Sequence, residues 1–160
     1  MSSARKSPVV RRSEPMILFA VGGYRFAIPA ADVDEIRETF AMKPFRPVPM
    51  APQVKYTVTR AGREYLVVDT GQHLRLMPSK ATRLLMLRSS AVAITADAID
   101  RMTDVPAISA LPSAFTGEER HWYRGLAVIG GDVVPVVSPD SFLEPARTAR
   151  LQQARLGVQP

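Results

Sequence analysis

The chain has 160 residues, no cysteine, two histidines and a formal net charge of +6. That length suffices for one domain with a real core, and the lack of cysteine excludes disulfides, thiolate metal sites and cysteine nucleophiles. The basic excess sits in the ends: residues 1–15 carry +3 and residues 144–160 carry +2, which leaves residues 16–143 with 14 basic and 13 acidic groups.

A surface that neutralises phosphates presents a basic stripe on the folded domain. The near-neutral middle of the chain lacks that balance, so a small-barrel nucleic-acid binder using its basic tails is only the alternative reading. The apolar run Met16–Val21 is far shorter than the roughly 18–20 residues of a membrane span, and the leader before it has no signal-type segment. A cytoplasmic protein is expected. His73 and His121 stand in no metal-ligand spacing, and no metal or cofactor is expected.

Residues 1–15 combine Ser, Arg and Pro without periodicity and read as a disordered basic leader. Met16–Val21 and Tyr24–Ile28 flank Gly22-Gly23, a pair suited to a tight hairpin turn. After Pro29, the stretch Ala30–Ile36 reads as a short helical turn or a bend that buries Val33 and Ile36 and leaves Asp34 and Glu35 in water. Four prolines between Phe40 and Pro52 prescribe an extended loop. Val54–Thr59 and Glu64–Asp69 read as strands about Ala61-Gly62-Arg63, with a loop or short helix over Gly71–Leu76. Arg83–Leu87 and Ala91–Thr95 form a second hairpin. Ala96–Met102 reads as a short helix or bend presenting Ile99 and Met102 on one face. A loop through Pro106, Pro112 and Gly117 follows, and Tyr123–Ile129 pairs with Val133–Val137 across Gly130-Gly131-Asp132. Ala146–Leu156 has good helix formers and closes the chain as a basic helical tail, residues 144–160.

The segment Gly62–Asp69 (GREYLVVD) recurs in altered form at Gly131–Ser138 (GDVVPVVS), and Leu74 recurs at Leu143, all at an offset of 69 residues. A single repeat of that size points to two related β halves within residues 16–143, joined near Pro78, the final strand of each contributing to a shared core. The expected fold is all-β, a barrel or a pair of small barrels, with the two halves packed against each other and a terminal helix.

The opening Ile17–Pro29 followed by Val33-Asp34-Glu35-Ile36 resembles the start of a CheW-like domain, in which such a hairpin leads into a Val-x-Glu-Ile motif. The family's Gly-Val-Ile-Asn-Leu-Arg-Gly turn and Pro-Val-x-Asp-Leu strand correspond to Tyr56–Gly62 and Leu66–Thr70, with Gly62 and Asp69 kept in place. Tyr123–Val128 and Val133–Leu143 are similar to the family's closing strands. The resemblance covers residues 16–143 and implies a fold of two intertwined, pseudo-symmetric five-stranded β-barrel-like subdomains with a short C-terminal helix. It further implies a non-enzymatic adaptor that couples a CheA-type histidine kinase, through its regulatory domain, to the cytoplasmic tip of chemoreceptors, with recruitment to receptor arrays.

The resemblance also implies where partners bind. Glu35 matches the acidic position of the Val-x-Glu-Ile motif, flanked by Val33 and Ile36. Arg60, Ala61, Gly62 and Arg63 form the central turn, where Ala61 stands at the family's arginine position and Tyr56 replaces a glycine; receptor coupling is therefore expected to have diverged. Arg60, one residue from that position, should point to the opposite strand face and not substitute for it. Trp122, Tyr123 and Arg124 read either as an interface anchor or as packing over the seam between halves. Asp69 reads as a carboxylate bonding loop N–H groups, and Gly125 as a backbone requirement. No Gly-x-Ser-x-Gly elbow, phosphate-binding glycine loop or paired acid motif supports catalysis.

Overall fold

Strands β1 (Glu14–Val21) and β2 (Tyr24–Pro29) pair antiparallel about Gly22 and Gly23, both at positive φ (59° and 85°), the conformation that a two-residue hairpin turn requires. The computed structural model describes residues 13–46 and 48–157, so most of the leader, residues 1–12, lies outside the described residues. After β2 come a 3-10 turn over Ala30–Asp32 and the strand β3 (Val33–Glu38). A second 3-10 turn over Thr39–Ala41 leads into β4 (Lys43–Pro44), a two-residue edge piece in the proline-rich loop. Then follow β5 (Val54–Arg60), β6 (Arg63–Val68), the one-turn helix α1 (Thr70–His73), β7 (Arg83–Leu87), β8 (Val92–Ala96) and β9 (Ala98–Val105). The chain ends with α2 (Glu119–Trp122), β10 (Tyr123–Ile129), β11 (Asp132–Val137), a 3-10 turn over Pro139–Ser141 and α3 (Pro145–Gly157).

The strands form two sheets, ordered β10-β11-β2-β1-β9 and β3-β7-β8-β6-β5-β4. Apart from β4 these orders are equivalent, with β10, β11, β2, β1 and β9 matching β5, β6, β8, β7 and β3. The parallel contact recurs as well, β11 with β2 and β6 with β8. Each sheet thus takes its central hairpin from one half of the chain and its remaining strands from the other. Even the edge contacts match: Pro44 and Lys43 pair along Tyr56 and Thr57, and an isolated bridge joins Ser109 to Leu126, which is Thr57 moved by 69 residues.

Two readings of local structure are corrected. Val33–Ile36 and Ala98–Met102 are strands and not helical turns, because β3 and β9 find partners far away in sequence, β7 and β1. Their apolar spacing of three suits a helical turn, but long-range pairing overrides it. As a result Val33 is buried, but Ile36 is 41% exposed and Met102 is exposed too.

The major core lies between the sheets and draws Phe19, Phe26 and Ile28 from one and Leu66, Val68, Leu85 and Ile94 from the other, with Phe142, Leu143 and Leu151 from the C-terminal segments. Each sheet also curls around a smaller core of its own, Leu18, Ala27, Ile129 and Val136 in one and Val58, Val67, Leu84 and Met86 in the other. Neither sheet closes into a true barrel.

Candidate partner-binding site

At the turn between β5 and β6, Ala61 and Gly62 have φ of 50° and 76°. Both are left-handed, as a two-residue hairpin turn with strand-compatible twist demands. Glycine is suited to that; alanine bears it at a cost. The turn sets Arg60 opposite Arg63, and the two side chains part. Arg63 is exposed and its guanidinium lies over the Tyr65 ring, 5.4 Å from the centroid. Arg60 reaches across to β3, where it donates from Nε to Glu35 and stands 3.3 Å from Asp34.

That contact spans the gap left by the curled sheet. In the ladder β3 and β5 stand apart, with β7, β8 and β6 between them, yet the Arg60–Glu35 pair and the bond from Arg37 to the Thr59 carbonyl (3.1 Å) tie them together. The ring is closed by side chains where no backbone ladder closes it. Arg37 also pairs with Glu35 at 3.4 Å, and Arg88 pairs with Asp34 at 3.4 Å while bonding the carbonyls of Ala31 and Val33. Three guanidinium groups therefore surround two carboxylates. The hydrogen bond that Arg60 donates to Glu35, and then the charge of Glu35, hold Arg60 above the ordinary arginine range. Around this charged clasp, Ile36 and Phe40 are 41% and 84% exposed.

Sequence reasoning named Glu35, Arg60 and Arg63 but missed Arg37 and Arg88 as members of the cluster. Their role depends on the β3–β7 pairing, for which the local sequence carries no signal. The curl of the sheet brings β3 within reach of Arg60.

The remaining candidates lie elsewhere. Trp122, Tyr123 and Arg124 share no hydrogen bond, ion pair or ring contact with the β3 cluster among the described residues. Arg124 bonds Glu14 at 2.9 Å, and this bond holds it above its ordinary range. Tyr123 stacks on Phe26 and its phenol is raised by burial, with Glu119 adding to the effect. Trp122 packs on the inter-sheet core, 5.8 Å from the His73 ring, with Arg75 over its face. It thus takes the seam-packing role, beside an open cavity of about 720 Å³ that His73, Arg75 and Glu144 also line. Asp69 accepts from the Gln72 N–H as expected. A Cβ on Gly125 would collide with the Ser109 carbonyl, so that glycine answers a close backbone approach. Among the described residues no set of three or more His, Asp or Glu converges as metal ligands, and no helix is long and apolar enough to cross a membrane.

The arrangement of two curled sheets sharing a core has a counterpart among solved structures. The crystal structure of the scaffolding protein TtCheW from Thermoanaerobacter tengcongensis superposes with a TM-score of 0.71 over 79% of this chain and 90% of that one, at 12% identity. At that identity the likeness speaks for the fold. No curated protein matches the chain. The model of the CheW-like domain matches residues 15–147, which include every strand but the first residue of β1, and the chain belongs to that family.

Proposed function

We propose that this protein is a non-enzymatic adaptor of chemotaxis-type signal transduction, coupling a CheA-type histidine kinase to chemoreceptor tips, with receptor coupling altered at the central turn. Membership of the CheW-like family and the likeness to a protein described as a scaffold support the adaptor role. The observation that carries the site is the clasp of Arg60 with Glu35 and Asp34, set beside exposed Ile36 and Phe40. Charged groups around an apolar contact suit a specific, transient interface, in which complementarity sets partner choice. On this reading Glu35, Ile36 and the turn Arg60–Arg63 contribute to partner binding, while buried Val33 anchors β3 in the core. Arg60 is committed to β3, so at the tip of the turn Ala61 offers no guanidinium where the family has one.

The test is calorimetric titration of the protein with a kinase regulatory domain and with a standard receptor tip. Binding to the kinase domain is expected for wild type, with receptor binding strengthened by Ala61→Arg. No binding to either partner would overturn the adaptor reading. Receptor binding already as tight as that of a standard coupling protein and unchanged by Ala61→Arg would overturn the altered coupling.

A further inference from the structure

The internal symmetry of the fold is broken at one place that bears on a partner. At the turn end of β5 and β6, Thr59 pairs with Glu64, and α3 packs over that end: Leu151 is buried in the major core and Gln152 reaches the Glu64 carbonyl at 3.4 Å. Moved by 69 residues, Thr59 and Glu64 become Val128 and Val133, which pair at the turn end of β10 and β11. From Val136 opposite Ala27, the parallel register brings Val133 level with Tyr24 on β2. Val128, Val133 and Tyr24 thus form a row across three strands, and they are 66%, 62% and 62% exposed.

The row overlooks a groove of about 470 Å³ with Phe26, Leu76, Tyr123 and Pro135 in its walls. Phe26 and Tyr24 alternate along β2, as Pro135 and Val133 do along β11, so these four share one face of the sheet. It is the face that bears the major core. The reason it is left uncovered lies in the connection. After Leu143 the second half supplies a 13-residue helix. After Leu74, the mate of Leu143, the first half must enter β7 at Arg83. That short segment puts only Leu76 against the groove, and Met77 stays exposed.

We infer that this groove receives a leucine-bearing amphipathic helix from a partner protein, seated as α3 is seated on the equivalent face of the other sheet. The apolar row supplies the anchor surface, as in other helix-in-groove contacts, and exposed Met77 gives an adaptable rim. The helix α3, which buries Leu151 in the major core, is such a helix within this chain. This docking surface is separate from the β3 clasp, so each can fail without the other.

The probe is a capped synthetic peptide with the sequence of residues 145–157, titrated into the isotope-labelled full chain and followed by NMR. Saturable shifts centred on Tyr24, Phe26, Tyr123 and Val133 are expected, with affinity lowered at least tenfold by Val133→Glu at an unchanged thermal midpoint. A scrambled peptide of the same composition should bind at least tenfold more weakly. Three outcomes would overturn the inference: no saturable binding, shifts confined to Glu64 and Leu151 as the peptide exchanges with α3, or a dimer in sedimentation that buries Val128 and Val133.

Discussion

His73 and Phe142, equivalent residues of the two halves, meet with ring centroids 4.7 Å apart, so the pseudo-twofold relation passes between an imidazole and a phenyl ring. The two positions are not equally satisfied. Phe142 is fully buried, whereas His73 Nε2 is buried with no hydrogen-bond partner. Burial lowers the His73 pKa from 6.5 to about 4.

The consequence for stability has a definite sign. Between about pH 4 and 6.5 the unfolded chain binds a proton at this site and the folded chain does not, so stability falls as pH falls through that window. The full loss is about 3 kcal/mol from a shift of this size. Replacing the orphaned ring by that of its mate, His73→Phe, should remove this slope and raise stability at pH 5 by about 1–3 kcal/mol. Urea unfolding of both proteins at pH 5 and pH 7.5 decides it; parallel pH dependence in the two would refute the assignment.

At the central turn, Ala61→Gly should stabilise the protein by about 0.5–1 kcal/mol, since φ of 50° strains a residue with a Cβ and not glycine. Glycine's greater freedom in the unfolded chain takes back part of the gain. The denaturation midpoint should rise at an unchanged slope, and a fall would show that the alanine is not strained.

The clasp between β3 and β5 predicts coupling. In a double-mutant cycle with Arg60→Ala and Glu35→Ala, the second substitution should cost less once the first is made, and the coupling should shrink in high salt. Partner affinity should suffer more than the thermal midpoint, because the pair lies at the surface, where ion pairs add little to stability. Full additivity at low salt would mean that the two side chains do not act together.

Gly125→Ala is expected to destabilise by at least about 2 kcal/mol, because its methyl group would overlap the Ser109 carbonyl in the bridge that edges β10. Gly131→Ala meets open space and bears only the left-handed strain, about 1 kcal/mol. Comparing the two thermal midpoints separates crowding from strain, and equal losses would argue against the close approach.

The sequence by itself determined the hairpins, since glycine pairs and alternating apolar runs act within a few residues: Gly22-Gly23 and Gly130-Gly131 mark turns whatever else surrounds them. The offset of 69 residues was legible for the same reason and announced two equivalent halves. The tertiary structure decided everything that depends on pairing across the chain. It made strands of Val33–Glu38 and Ala98–Val105, because ladders to β7 and β1 outweigh a local spacing that suits a helical turn. It exchanged the central hairpins between halves and curled one sheet until Arg60 met Glu35, placing Arg37 and Arg88 in the same cluster. It also covered one sheet end with α3 and left the other bare. Local spacing encodes which backbone a short segment prefers, but which distant groups meet is set by the shared burial of both sheets, a property of the whole chain.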